Sequence, residues 1–252
     1  MSSADQPLDR AFAVLGAVVA GGSALSITDI AHQCRLPVPT VHRIVAQLEQ
    51  RALLKRALGS RKVLVGAHLA RLGASAVAAS MRFDEVHKAL ETVSNEIGEH
   101  SQLGIREGNQ VVYSDTVRAA RSTGLHFEQG KRAPLHCSSI GKLFLAEMSL
   151  DEFDRWLRSV PRESLTRQTI VSVSGLRIAI KAVRTEAWAA SNEEMAVGVV
   201  GCAVPVRLSD GALVAGLGVS VPSARITYAE LPALRQPMER AAQAITRAIE
   251  NI

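Results

Sequence analysis

Thr40, Arg43 and Gln47 recur every three or four residues in the stretch LPVPTVHRIVAQLEQRALLKR, Leu36 to Arg56, with His42 beside them. Residues at that spacing share one face of a helix. Val41, Ile44, Val45 and Leu48 fall at i, i+3, i+4 and i+7 and make the opposite, apolar face. An arginine on the polar face can pair in bidentate fashion with guanine or grip a phosphate. A hydrated helix face looks the same from these residues alone, so the frame around the helix has to decide.

A second group lies in RAPLHCSSIGKLF, residues 132–144. A helix starting near Ser138-Ser139 would offer free N–H groups and a positive dipole end to an anion. His136 and Cys137 are chain neighbours, which rarely orient as base and nucleophile. Cys34, Cys137 and Cys202 are odd in number and far apart, with no CxxC pair. Neither a disulfide framework nor a structural zinc is expected from them. His126 and Glu128 lie two apart, without further ligands at a zinc spacing. GLHFEQGKR has the wrong glycine spacing for a phosphate loop. No metal and no cofactor is expected.

The 252 residues hold one large or two modest domains, and 47% are hydrophobic. No apolar run approaches the roughly 20 residues that cross a bilayer. MSSADQPLDR lacks the basic and apolar regions of a signal peptide, so a cytoplasmic chain without membrane contact is expected. The net charge is +5. Residues 1–80 carry nine Lys or Arg against four Asp or Glu, whereas residues 81–252 carry twenty of each. The whole excess therefore sits in the first third, which suits a polyanion partner or simply a hydrated surface.

The pattern around these residues reads as three helices and a hairpin. LDRAFAVLGAVVAGG places Leu8, Ala11, Phe12 and Leu15 on one face and stops at Gly21-Gly22. SITDIAHQCRLP opens with Ser26 and Thr28 as candidate caps and Asp29 in the first turn. The third helix has Pro39 near its start, where a missing N–H matters least. Two short apolar stretches, Leu53-Leu54 and Val63 to Val65, flank a Gly59-Ser60 turn, with Arg56, Arg61 and Lys62 clustered near it. This is the plan of a winged helix-turn-helix, whose third helix can enter a major groove while the wing reaches phosphate. A small protein-binding module could have the same outline.

AHLARLGASAVAAS then reads as a linker helix, and Phe83, Val86, Leu90, Val93 and Ile97 line one seam of a longer one. SQLGIREGNQVVYSDTV predicts a hairpin turning at Glu107-Gly108-Asn109. Helices are expected at SSIGKLFLAEM, LDEFDRWLRSV, SGLRIAIKAVRTEAW and from about Leu231 to the end. Two strands are expected around Ser209-Asp210-Gly211. The whole is α+β: a winged helix-turn-helix over 5–67, a linker helix over 68–80 and a domain with an antiparallel sheet over 81–252.

Over nearly its full length the chain resembles the IclR family of bacterial transcription regulators. The resemblance rests on LDRAFAVLGAV, SITDIAHQCRLPVPTVHRIVAQLEQRALL and VLVGAHL in the first half. In the second it rests on RAPLHCSSIGKLFLAEM, LTRQTI, EEMAVGVVGCAVPV and GLGVSVPSARIT. It implies a DNA-binding dimer or dimer of dimers on palindromic operators and a GAF-like C-terminal domain that senses small organic acids. Arg43 falls in the matching TVHR signature, flanked by Thr40 and His42. Pro39 stands where the family usually has a small polar residue, so one polar contact is missing. Arg10 and Arg35 are implied phosphate contacts.

The resemblance also places an effector pocket at Leu125, Ser138, Ser139, Ile140, Gly201 and Ser220, with Glu194 nearby. Cys202 would line it if it points inward. Gly201 and Gly218 should leave room on the late strands, and Ile140 should add apolar surface. A bulky apolar acid such as an aromatic one would then fit, unless the glycines serve only strand packing. The expected function is a ligand-responsive DNA-binding regulator, a repressor of a catabolic operon, and not an enzyme. The alternatives are redox sensing through Cys137 or Cys202, and a hydrolase built on the second half, for which no catalytic constellation is visible. Ligand binding would shift a dimer between two arrangements through the linker helix at His68 to Ser80.

Overall fold

The computed structural model describes residues 7–57, 59–80, 84–118 and 128–250. The chain divides into two compact units, one ending at Ser75 and one beginning at Ala76. Among the described residues no helix is long and apolar enough to cross a membrane.

The first unit contains α1 (Pro7–Ala20), α2 (Ile27–Cys34), α3 (Val38–Gln50), the strands β1 (Leu54–Arg56) and β2 (Val63–Val65), and the start of α4 (Ala67–Ser80). β1 and β2 pair antiparallel, Leu54 opposite Val65 and Arg56 opposite Val63. The turn between them has Gly59 at φ +68°, where any side chain would be strained. Val41, Ile44, Val45 and Leu48 of α3 are buried together with Ile30, Leu54 and Val63. On α1 the core face differs from the expected one. Val14 and Val18 are buried with Ala11 and Leu15 beside them, while Leu8 and Phe12 are each 64% exposed. α1 is apolar around most of its circumference, so spacing alone could not choose a face.

The second unit is one antiparallel sheet between two layers of helices. In chain order it holds α5 (Asp84–Ile97), β3 (His100–Glu107), β4 (Gln110–Val117), β5 (Arg132–Pro134), α6 (Ser139–Glu147), α7 (Leu150–Ser159), α8 (Val173–Glu186), β6 (Ala189–Asn192), β7 (Val199–Arg207), β8 (Leu213–Pro222) and α9 (Arg235–Glu250). The strand order is β5-β4-β3-β8-β7-β6, every pair antiparallel. Alternation along the strands sorts the two faces. Leu103, Cys202, Val204, Leu217 and Val219 join α5 and α9 in one core. Val111, Tyr113, Ala133 and Ala203 join α6, α7 and α8 in the other. The last helix starts later than expected. Tyr228–Leu234 is a 3₁₀ stretch containing Pro232, which has no N–H to give an α-helical bond.

Small residues on the α6 side of the sheet set how closely that helix can approach. A Cβ added to Gly216 would lie 2.7 Å from Ile140 Cγ2, and one added to Gly218 would lie 2.9 Å from Ile140 Cδ1. Ile140 therefore sits in a hollow that only glycine leaves open.

Candidate functional site

α2 begins with a capping box. The Ser26 hydroxyl accepts the Asp29 N–H at 3.1 Å, and the Asp29 carboxylate accepts the Ser26 N–H at 3.1 Å. The Ser26 hydroxyl also donates to the Asp29 carboxylate at 2.7 Å, and this bond, followed by that from the Ser26 N–H, holds the carboxyl below its ordinary range. α2 ends at Arg35, whose left-handed backbone (φ 53°) turns the chain towards α3. α3 has Pro37 at its cap and no side-chain cap bond. Its buried stripe fixes its rotation, leaving His42, Arg43 and Gln47 exposed and Thr40 half-buried.

The basic residues around this helix are not equivalent. Arg35, Arg61 and Lys62 are exposed, and Arg10 is half-buried on α1. Arg56 is engaged within the protein. Its guanidinium pairs with Glu49 on α3 at 2.7 Å and donates to the Arg61 carbonyl at 2.6 Å. Lys55, which the spacing argument did not single out, is exposed on β1.

In the second unit α6 is capped by Ser138. Its hydroxyl accepts the Gly141 N–H at 3.1 Å and donates to the Pro134 carbonyl at 2.9 Å. Ser138, Ser139, Ile140, Gly201 and Ser220 come together around one small cleft, joined by Gln102, Tyr113 and Ser191. Gln102 Nε2 donates to Ser220 Oγ at 2.6 Å. Gln102 Oε1 is buried and has no hydrogen-bond partner among the described residues. Burial pushes the Tyr113 phenol well above its ordinary value, so it stays a neutral donor.

The cleft encloses about 20 Å³. That is room for about one water and far below the roughly 300 Å³ at which small-molecule sites begin. The expected roomy pocket is therefore absent from the described residues. The space offered by Gly218 is taken by Ile140, which removes volume instead of only adding apolar surface.

Residues 76–247 match the model of the bacterial transcriptional regulator IclR C-terminal domain, and residues 7–57 match the IclR helix-turn-helix domain. The chain belongs to the IclR family. It is 31% identical over 222 residues to the transcriptional regulator named SauR of Cupriavidus necator, covering 88% of each chain. It is 24% identical to the transcriptional repressor IclR of Escherichia coli, over 96% of this chain and 89% of that one. A crystal structure of a transcriptional regulator from Rhodococcus sp. RHA1 matches with TM-score 0.65 and 25% identity, covering 97% of this chain and 98% of that one. An IclR homologue from Microbacterium hydrocarbonoxydans, crystallised with 4-hydroxybenzoate, shares the fold at TM-score 0.62 and 24% identity, over 97% and 99% of the two chains. As an IclR-family member the chain is a DNA-binding transcription regulator with a ligand-binding C-terminal domain.

Two effector residues expected from the IclR resemblance, Cys202 and Glu194, do not line this cleft, and a third, Leu125, lies outside the described residues. Cys202 points to the opposite face of the sheet, with its thiol 3.5 Å from Met238 Sδ in the α5–α9 core. Alternation accounts for this, because Gly201 faces α6 and its neighbour must face away. Glu194 is 3% exposed and pairs with the Lys142 ammonium on α6, lining a different cleft. Burial raises its carboxyl above the usual range, against the opposing pull of Lys142. One faint signal marks Gln102: a polar side chain within a strand that is buried over most of its length.

Neither buried thiol is placed for redox chemistry. Cys137 and Cys202 are fully buried, and burial pushes both up to about 12. At neutral pH they are thiols, not the reactive thiolates. Among the described residues no group of three His, Cys, Asp or Glu could hold a metal.

Proposed function

We propose that this regulator represses a catabolic operon and is released or retuned by a small carboxylic acid. The observation that carries the reading is the polar stripe of exposed His42, Arg43 and Gln47 with half-buried Thr40 at its start, held outward by a fully packed apolar stripe on the same helix. Arg43 and Thr40 reach base edges or the adjacent phosphates, Gln47 lies one turn further along, and Arg10, Arg35, Arg61 and Lys62 grip the backbone. Arg56 acts through Glu49 and the wing more than through phosphate.

The acid docks where α6 begins. Its carboxylate takes the free N–H groups of the first turn and the Ser139 hydroxyl. The Gln102 amide can turn over, accepting from Ser220 and offering Nε2 to the ligand. Entry of anything as large as an aromatic ring requires Ile140 to withdraw from the glycine hollow. That movement of α6 is the change the ligand selects. The protein works as a dimer or dimer of dimers on a palindromic operator. The linker helix sets the separation of two α3 helices, which half-sites about 34 Å apart or a multiple of that demand.

Fluorescence anisotropy with DNA from upstream of the gene tests this. The titration is run at several salt concentrations, with aliphatic acids, 4-hydroxybenzoate and other aromatic acids. Salt-sensitive binding that prefers this DNA, weakens in Arg43→Ala and responds to one acid supports the reading. Equal affinity for random DNA, with no response to any acid, overturns it.

A further inference from the structure

The Lys142–Glu194 pair floors a second cleft, of about 530 Å³, that shares no lining residue with the acid pocket. Small-molecule sites typically enclose about 300–1,000 Å³. α8 supplies one wall with Glu186, Trp188 and Asn192 supply another, and Tyr228 stands opposite. Two carboxylates and one ammonium face this space, together with two aromatic rings.

The single ammonium is already committed. Lys142 Nζ bonds Glu194 Oε1 and the Ala190 carbonyl, the latter at 2.9 Å. Arg235 bonds the Glu186 backbone carbonyl at 2.9 Å and pairs with Glu239 at 2.7 Å. An anion entering the cleft would meet no uncommitted cation at these groups. A donor would meet two acceptors. Glu194 Oε1 takes Lys142 and the Asn192 N–H, and the Ile170 N–H adds its pull on the carboxylate, but Oε2 is buried with no donor in hydrogen-bond geometry among the described residues. Among the same residues the Glu186 carboxylate takes only the Trp188 Nε1–H, at 3.1 Å. A buried acceptor without a donor is unfavourable until something supplies one.

We propose that this cleft binds a small organic cation, a primary ammonium on an apolar body. The ammonium sits between Glu186 and Glu194, and the body lies against Trp188 and Tyr228, whose ring faces attract a cation. Burial, and after it the charges of Glu194 and Glu186, pushes the Tyr228 phenol up, as expected if their negative field fills the cleft.

The chain has two tryptophans, and Trp156 belongs to the α7 core with its Nε1 on Asn109. Emission from Trp188 in full-length Trp156→Phe protein therefore reports on the cleft. Saturation-transfer NMR on the unaltered chain gives an independent readout. The probes are benzylamine, benzyl alcohol and benzoate, alike in shape and different in charge. Benzylamine should saturate and bind at least about tenfold more tightly than the other two, about 1.4 kcal/mol. Glu186→Gln, which leaves the Lys142 pair intact, and Ala182→Phe, which fills the cleft, should each weaken benzylamine about tenfold or more. Equal binding of benzyl alcohol, indifference to Ala182→Phe, or no binding of benzylamine overturns the proposal. Benzoate, which the acid pocket could also take, is scored by Trp188 emission alone; the deciding comparison of benzylamine with benzyl alcohol involves neither DNA nor an acid, so this test and that of the acid-responsive repressor fail independently.

Discussion

Ile140 rests directly on Gly216, so close that a methyl group on the glycine would stand 2.7 Å from the isoleucine Cγ2. The contact fixes how near α6 lies to β8 and how little space is left beside it. Ile140→Ala should open the acid pocket and lower stability by about 2–5 kcal/mol, as for other buried isoleucines. Urea unfolding checks the second part. Acid titration of the variant checks the first, because larger acids should gain affinity relative to wild type. Gly216→Ala should lose about 1–3 kcal/mol by overpacking and close the pocket further.

Lys142 and Glu194 should behave as one unit. Lys142→Met leaves a buried carboxylate without its partner and should remove about 3–5 kcal/mol of stability. Adding Glu194→Leu to the same chain should restore most of that loss, since two apolar groups in the space of an ion pair are often neutral. Urea midpoints of the two single variants and the double variant measure the coupling.

The basic residues of the wing should separate by salt dependence. Lys62→Ala and Arg61→Ala should each flatten the plot of log affinity against log salt by about one phosphate contact. Arg56→Ala should instead weaken binding with little change of slope, because its charge is paired with Glu49. A full unit of slope lost in Arg56→Ala would contradict the role assigned to it.

His136 should make stability fall on mild acidification. Its Nε2–H donates to the Glu163 carbonyl at 2.9 Å, and burial holds the ring below its ordinary value of 6.5. The unfolded chain therefore takes up a proton at a higher pH than the folded one. The stabilisation is complete above about pH 6.5 and is lost as pH falls through that value towards the lower folded one. Urea midpoints for wild type and His136→Gln, compared at about pH 7.5 and 5.5, should converge at the lower pH.

How far the sequence foretold this varied with what each element has to bury. α3 shows four apolar residues at helical spacing on an otherwise polar helix, and all four are in the core. Val86, Leu90 and Val93 of α5 follow the same rule. The β3–β4 hairpin turns at Gly108 and the β7–β8 hairpin at Asp210-Gly211, where the turn residues place them. α1 offered apolar residues on several sides and so no unique face. β5 and β6 are three and four residues long, too short for alternation to register, and were not foreseen. Of the acid pocket, the α6 side and two strand positions were legible. Gln102 was not, because its place depends on two strands 118 residues apart becoming neighbours, and neither was Glu194, whose partner Lys142 lies on a helix 52 residues away.

The Arg56 bridge has a mechanical meaning. It bolts the tip of the wing to the far end of α3 through Glu49 and the Arg61 carbonyl. With α3 on base edges and the wing on the sugar–phosphate rail, as proposed above, the two would move as one caliper of fixed jaw width. Such a caliper cannot stretch to suit a distorted groove; it either seats on both surfaces at once or slides on to the next register.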